Sequence, residues 1–218
     1  MSKRIGVLLS GCGVFDGAEI HESVLTLLFL DRAGASVLCM APNVDQLHVI
    51  NHLTQQQEDE RRNVLVESAR IARGEIQDVA SVSADDMDAL IIPGGFGAAK
   101  NLSDFAVNGP EAQVHPQVQR LLADMAGCSK PIGALCIAPA TLTRALSERS
   151  PQVTIGNDVG TAAAIESMGG KHRVCSVSDV CVDEKNRIVT TPAYMLGPGI
   201  KDVAAGIEKL VAKILSLC

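Results

Sequence analysis

The chain has 218 residues and a formal net charge of −6 at pH 7, with 47% hydrophobic and 20% charged residues. This composition excludes a disordered or fibrous chain, and the acidic balance argues against a nucleic-acid or anionic-membrane surface, which would need a basic face. The sequence contains no run of about 18 apolar residues, which excludes a membrane-spanning helix. With four Phe, one Tyr and no Trp, the core must be built from aliphatic side chains.

The seven cysteines show no paired spacing, which indicates reduced thiols rather than a disulfide framework. The first nine residues hold only a five-residue apolar stretch, which is too short for a secretory signal. From these two features we expect a cytoplasmic protein.

Short apolar runs alternate with longer stretches of helical periodicity along the chain. Segment 55–62 is polar and is predicted to be an exposed loop or helix end. The alternation predicts a single α/β domain over residues 1–218, with a mostly parallel sheet covered by helices on both faces. The predicted strands are 5–9, 37–41, 90–92 and 132–135, with a hairpin of 180–182 and 188–190, and the predicted helices are 19–32, 63–73 and 200–215.

The cysteine that best suits chemistry is Cys136. A buried strand runs directly into it, and a helix begins within about two residues, with Pro139 in the first turn. Such a corner places the sulfur at a helix N-terminus, where the dipole and free N–H groups lower a thiol pKa. It is the cysteine counterpart of the serine nucleophile elbow. The alternative is a small buried cysteine that only closes a strand.

A second motif is the glycine loop that follows the predicted strand 90–92, where Gly94 and Gly95 are adjacent. It matches neither the phosphate loop nor the dinucleotide fingerprint. Adjacent glycines let backbone N–H groups approach a ligand closely, as an oxyanion hole requires. The alternative interpretation is a plain turn.

Together with the segments 10–17, 19–22, 136–139 and 190–195, this loop resembles the ElbB (enhancing lycopene biosynthesis) glyoxalase family of the PfpI–ThiJ superfamily. The resemblance spans nearly the whole chain and implies a flavodoxin-like, class I amidotransferase-like fold. Matched position by position, it implies that Cys136 is the nucleophile, that Glu22 is the acidic residue beside the sulfur, and that Gly95 and Ile137 supply backbone donors. It also implies a homodimer.

Glu22 and Cys136 are compatible with one site on physical grounds. The carboxyl ends of parallel strands share one crevice, and both residues follow such ends. A carboxyl beside a thiolate is expected to be held protonated by like-charge repulsion and desolvation, which would let it move a proton. The alternative is a solvated or helix-capping glutamate, and that description suits Glu19 better.

One departure from the superfamily concerns histidine. Many members place a triad histidine after the nucleophile, but the only histidine beyond Cys136 is His172, which we expect near a strand start and on the surface. A Cys–His–Glu glutaminase is therefore disfavoured.

Other residues are candidates for the lining of the pocket or for metal binding. Gly94, Cys12, His21 and Asn101 are candidates for the lining of the pocket, with a bystander role open for Cys12 and His21. His48 and His52 have the spacing of two metal ligands on one helical face. Because the sequence near them offers no third ligand, a solvated face is the preferred interpretation, and we expect no metal and no cofactor.

The resemblance implies a glutathione-independent glyoxalase, a lyase of the hydro-lyase type, that converts glyoxal or related dicarbonyls to hydroxy acids such as glycolate through a hemithioacetal on Cys136. The same chemistry on glycated amines would be deglycation. Two alternatives stay open. One is a redox- or stress-sensing interaction protein with an oxidisable Cys136. The other is a partner-dependent amidotransferase-like subunit linked to isoprenoid biosynthesis.

Overall fold

Nine strands and eight α-helices form the chain in the computed structural model, which describes residues 2–218. The strands are β1 Arg4–Leu8, β2 Ser36–Ala41, β3 Ile76–Asp78, β4 Ala89–Ile92, β5 Ile132–Leu135, β6 Gln152–Val153, β7 Lys171–His172, β8 Cys181–Asp183 and β9 Ile188–Thr191. The helices are α1 Ile20–Arg32, α2 Val64–Ile71, α3 Phe96–Lys100, α4 Phe105–Asn108, α5 Pro116–Gly127, α6 Ala138–Ala145, α7 Val159–Ser167 and α8 Ile200–Leu217.

Seven strands make one sheet in the order β3-β2-β1-β4-β5-β9-β8. All neighbours are parallel except β8, which runs antiparallel to β9 and forms the predicted hairpin with it. Strands β6 and β7 form a separate parallel pair. The predicted α/β fold with a mostly parallel sheet is confirmed.

Helices cover both faces of the sheet through two hydrophobic clusters. Strand β4 shows how the clusters are separated, because successive side chains point to opposite faces. Leu90 and Ile92 pack in the cluster that contains α5 and α6, whereas Ala89 and Ile91 pack in the cluster with α1 and α8. Burial on both faces explains why this strand is apolar at every position.

The parallel order brings the carboxyl ends of β1, β4, β5 and β9 to one edge of the sheet. The loop after β1 is bound to the glycine loop after β4, where the N–H of Gly97 donates to the carbonyl of Gly17 at 2.9 Å and that of Phe96 to Val14 at 2.8 Å. These loops therefore meet where a ligand binds in open α/β sheets.

The predicted elements agree with the structure within a few residues. Residues 42–63, all described, form turns and isolated bridges, and segment 55–62 is exposed, as the predicted loop requires. His48 and His52 consequently do not share a helical face. Helices α3, α4, α5 and α7 and strands β3, β6 and β7 are not among the predicted elements.

Helix α8 lies so close to the segment before β8 that a glycine is required at position 206. A Cβ there would lie 2.2 Å from the carbonyl oxygen of Val177 and 2.6 Å from Oγ1 of Thr191. Gly127, at the end of α5, has no atom within 4 Å of the equivalent position. Both glycines lie in helices, but an added Cβ would be crowded at Gly206 and free of contacts at Gly127.

We predict opposite effects of alanine at these two positions. Gly127→Ala should raise the free energy of unfolding by up to about 1 kcal/mol, because alanine has the higher helix propensity. Gly206→Ala should lower it by roughly 1–3 kcal/mol, because overpacking outweighs that gain. Urea denaturation measures both. Equal stabilisation by the two substitutions would contradict the close contact at Gly206.

Candidate active site

Cys136 occupies a sharp corner between β5 and α6. Its φ of 59° is in the left-handed region, which residues other than glycine adopt at a cost of about 1–2 kcal/mol. Its N–H donates to the carbonyl of Thr191 at 3.1 Å, which fixes the corner against β9. The residue is 8% exposed. Helix α6 begins two residues later with Pro139 in its first turn, so the strand-to-helix corner predicted from the sequence is present.

Glu22, in the first turn of α1, is fully buried and joins three segments through its carboxyl group. Oε2 accepts the N–H of Gly94 at 2.9 Å, and Oε1 accepts the N–H of Tyr194 at 3.1 Å. The carboxyl also forms a hydrogen bond with the side chain of Cys136. The structure therefore places the predicted acid directly beside the predicted nucleophile.

The close approach of Glu22 to Cys136 requires glycine in the loop after β4. A Cβ on Gly94 would lie 2.3 Å from Cβ of Cys136 and 2.7 Å from Oε2 of Glu22. Gly95 has a φ of +94°, and a Cβ there would lie 2.4 Å from the nitrogen of Glu19. A plain turn would not need glycine at both positions for steric reasons.

Burial raises the pKa of Glu22 to about 7. The N–H groups of Tyr194 and Gly94 oppose this rise, and the charge of Glu19 adds to it. The direction agrees with the expectation from the sequence. A carboxyl with a pKa near neutral both accepts and donates protons readily under physiological conditions.

The expectation for Cys136 was wrong in direction. Burial, and next the negative charge of Glu22, raise the pKa of its thiol well above the usual value. The N–H groups of Gly95 and Ile137 are directed at the sulfur and lower the pKa, but desolvation outweighs them. Near neutral pH the thiol therefore keeps its proton, and the Glu22 carboxyl beside it is divided between its protonated and ionised forms.

The remaining predicted residues lie around this centre rather than in it. His21 is exposed, and its Nδ1 lies 2.8 Å from the phenol oxygen of Tyr194. Cys12 is half-buried in the loop after β1, and burial followed by the charge of Glu67 raises its thiol pKa. Glu19 caps α1 by accepting the N–H of Glu22 at 2.7 Å, as expected for a capping glutamate.

Asn101 requires a correction, since its amide is engaged within the protein. Nδ2 donates to the carbonyls of Ser10 and Asp16 at 2.8 and 2.9 Å, and Oδ1 accepts the N–H of Leu47 at 3.0 Å. These bonds tie the loop after β1 to the segment after β2. Asn101 is therefore a structural tie between loops rather than a lining residue.

Sequence reasoning missed the part played by the turn after β9. Ala193 has a φ of 45°, and this left-handed residue precedes Tyr194, whose N–H reaches Glu22. The motif at 190–195 carries part of the family resemblance. The single tyrosine of the chain lies within it and is the sequence feature that points to this turn.

The histidines do not form a metal site. His172 lies in β7, and its Nε2 accepts the N–H of Ile155 at 3.4 Å. His52 Nε2 accepts the N–H of Phe15 at 3.3 Å. Within residues 2–218 no group of three or more His, Cys, Asp or Glu side chains is placed to hold a metal ion. Over the same residues, no helix has the length and apolar character needed to cross a membrane.

Comparison with known proteins decides the family. No family model matches the chain. The human protein named "Glutamine amidotransferase-like class 1 domain-containing protein 3, mitochondrial" is 48% identical over 224 aligned residues, which cover 98% of this chain and 83% of the human protein. The chain belongs to the glutamine amidotransferase-like class 1 domain family.

Solved structures support the same placement of this family member. The crystal structure of an isoprenoid biosynthesis protein with an amidotransferase-like domain from Ehrlichia chaffeensis is 36% identical, with a TM-score of 0.92 over 99% of this chain and 100% of the other. A ThiJ/PfpI domain protein from Brachyspira murdochii has a TM-score of 0.62 at 13% identity, over 100% and 99% of the two chains. The second likeness concerns the fold alone.

We predict that Glu22 makes stability fall as pH rises. Its folded pKa of about 7 lies above its ordinary value of 4.5, so the stabilising contribution is complete below pH 4.5 and is lost as pH rises through 7. Between pH 5 and pH 8 this linkage amounts to roughly 2–3 kcal/mol. In Glu22→Gln the contribution of this position should not change with pH.

Urea denaturation of both proteins at pH 5 and pH 8 measures this effect. The expected result is that the unfolding free energy of the wild type, relative to Glu22→Gln, falls by that amount at the higher pH. The comparison does not depend on the absolute stability of the variant, in which the amide leaves one N–H without an acceptor. A constant difference at the two pH values would show that Glu22 has an ordinary pKa.

Proposed function

We propose that this family member is a glutathione-independent glyoxalase that converts glyoxal to glycolate. The observation that carries the proposal is the buried Cys136 thiol, hydrogen-bonded to the buried Glu22 carboxyl, whose pKa is about 7, and faced by the N–H groups of Gly95 and Ile137. The resemblance of the motifs to the ElbB glyoxalase family supports it. The likeness to an isoprenoid biosynthesis protein is consistent with that family's name.

In the first step, Sγ of Cys136 attacks one carbonyl carbon of glyoxal while the Glu22 carboxylate accepts the thiol proton. This transfer explains how a thiol of raised pKa becomes a nucleophile only in the presence of an electrophile. The carbonyl electron pair moves to oxygen, where the N–H groups of Gly95 and Ile137 stabilise the charge. Glu22 then returns the proton, which gives a hemithioacetal.

In the second step, the Glu22 carboxylate removes the hydrogen from the carbon bonded to sulfur as a proton. The electron pair forms an enediol, and Glu22 gives that proton to the second carbonyl oxygen. The hydroxyl on the sulfur-bearing carbon then loses its proton to Glu22, which passes it to the neighbouring carbon, and the product is the thioester of glycolic acid. One carbon is oxidised and the other is reduced, so no external oxidant or reductant is consumed.

In the last step, water adds to the thioester carbonyl, the carbon–sulfur bond breaks, and the released sulfur regains a proton. Glyoxal and one water thus give glycolic acid. The protein supplies the thiol, so glutathione is not required, and no metal or other cofactor takes part in the proposed steps.

The confined sulfur supports a small substrate. Cys136 is 8% exposed, and Gly94 leaves no space for an added atom beside it. A two-carbon dialdehyde suits such a site better than a glycated side chain on a protein. We therefore favour free glyoxal over deglycation as the primary activity.

A partner-dependent subunit linked to isoprenoid biosynthesis is the second candidate, which is favoured by the similarity to the isoprenoid biosynthesis protein from Ehrlichia chaffeensis. A role for Cys136 in oxidation sensing is less well supported, because oxidation follows thiolate character and exposure. The thiol is buried, and its pKa is raised.

A homodimer is also part of the proposal. Ile20, Val24 and Leu28 lie on one face of α1 and are each exposed, which gives a surface for self-association. Light scattering of the purified protein tests it. The cytoplasmic location is proposed from the sequence alone, whereas the human relative is named mitochondrial.

We predict that the purified protein produces glycolate from glyoxal without glutathione. Cys136→Ala should reduce the rate to the uncatalysed background, because the bond-forming sulfur is lost. Glu22→Gln should lower kcat by about 10²–10⁴, because proton transfer is lost. Glycolate is quantified directly by chromatography.

Cys128→Ser serves as the control, since this cysteine is exposed and lies outside the site. Its rate should equal that of the wild type. If wild type and Cys136→Ala both give only background glycolate, the glyoxalase proposal is wrong, and the partner-dependent role becomes the better one.

A further inference from the structure

Two cysteines outside the candidate active site, Cys175 and Cys181, line one cavity of about 440 Å³. The cavity lies where the segment 173–180 leads into β8 at the edge of the sheet. Gln152 and Arg173 are among its other lining residues. Neither cysteine is used by the proposed glyoxalase reaction.

Both cysteines line this cavity, and the chain between them makes a turn. The N–H of Asp179 donates to the carbonyl of Ser176 at 3.1 Å, so the chain reverses direction over residues 176–179. Cys175 precedes this turn, and Cys181 follows it as the first residue of β8. Residues 173–180 form neither helix nor strand, so Cys175 is not held in a ladder of backbone bonds.

The surroundings give the two cysteines different roles. Cys175 is partly exposed, whereas Cys181 is 7% exposed and accepts a hydrogen bond from Nε2 of Gln152 at 3.7 Å. Burial is the main cause of the raised pKa of both thiols, and at Cys175 the negative charges of Asp179 and then Cys181 add to it. Cys175 is thus the more accessible of the two to a reagent, and Cys181 is the more buried.

We propose that Cys175 and Cys181 are a dithiol modification site that reacts with low-molecular-weight disulfides and closes to an intramolecular disulfide. The Cys175 thiolate attacks one sulfur of the small disulfide, forming a mixed disulfide and releasing one thiolate. The Cys181 thiolate then attacks the Cys175 sulfur and releases the second. Both cysteines are oxidised, the small disulfide is reduced to two thiols, and the two protons lost by the cysteines go to those thiols through solvent.

The site is joined to the nucleophile corner by two hydrogen bonds. Oγ1 of Thr191 donates to the carbonyl of Asp179 at 2.8 Å, and the carbonyl of Thr191 accepts the N–H of Cys136 at 3.1 Å. Closure of the disulfide would therefore constrain the segment that holds Thr191. The reaction of Cys175 and Cys181 with a disulfide does not require the proposed glyoxalase activity.

The test is to treat the folded protein with glutathione disulfide at roughly pH 8, where more thiolate is present, and then to alkylate and digest it with trypsin. Cleavage after Arg173 and Lys185 yields the peptide 174–185, which contains both cysteines and no other. The expected product is this peptide with an intramolecular disulfide. Its mass is that of the reduced peptide less two hydrogen atoms, and neither cysteine is alkylated. Dithiothreitol should restore both sites.

Two variants separate the steps. In Cys181→Ser the peptide should stop at one glutathione adduct on Cys175, whereas Cys128→Ser should give the same disulfide as the wild type. The proposal is overturned if wild-type peptide 174–185 stays fully alkylated, or if its glutathione adduct persists as it does in Cys181→Ser. Because the wild-type result alone is decisive, the test does not depend on the folding of either variant.

Discussion

The site is organised by the burial of one carboxyl group. Glu22 is fully buried, and a carboxyl without partners in such surroundings is costly. Its partners are the N–H groups of Gly94 and Tyr194 and the side chain of Cys136. These groups come from the segments that follow β4, β9 and β5, so satisfying one side chain sets the relative positions of three loops and of α1. The missing side chain at Gly94 is what allows the approach.

Much of the fold follows from local patterns in the sequence. Strands β4 and β5 are apolar at almost every position, and α8 carries a regular apolar stripe, so both kinds of element were predictable. Helix α7 is built of small residues, and Ile165 is its only buried side chain among those described, so it shows no stripe. Strands β6 and β7 have two residues each, which is too short for any alternation to be visible.

The site was predictable in its residue types and in the raised pKa of Glu22, but not in the pKa of Cys136. The corner at Cys136 and its pairing with Glu22 followed from motif and strand order. The pKa of Cys136 depends on burial from all sides, which a linear pattern does not contain, and the local helix N-terminus suggested the opposite direction. The contribution of Tyr194 is a backbone N–H, a group that nearly every residue has. Asn101 suited a lining position by type, but its bonds to Ser10, Asp16 and Leu47 depend on the folded loops.

The two ends of the sheet determine how copies of this chain are able to associate. An edge strand offers unpaired backbone groups to another chain and so invites aggregation by sheet extension. Here the edge strands β3 and β8 have only three residues each, and acidic Glu75 and Asp78 lie at the β3 edge. Pairing of β3 with β3 of another copy would bring these acidic side chains together and would form few backbone hydrogen bonds. In the proposed homodimer, the helical faces are therefore better suited to the contact than the sheet edges are.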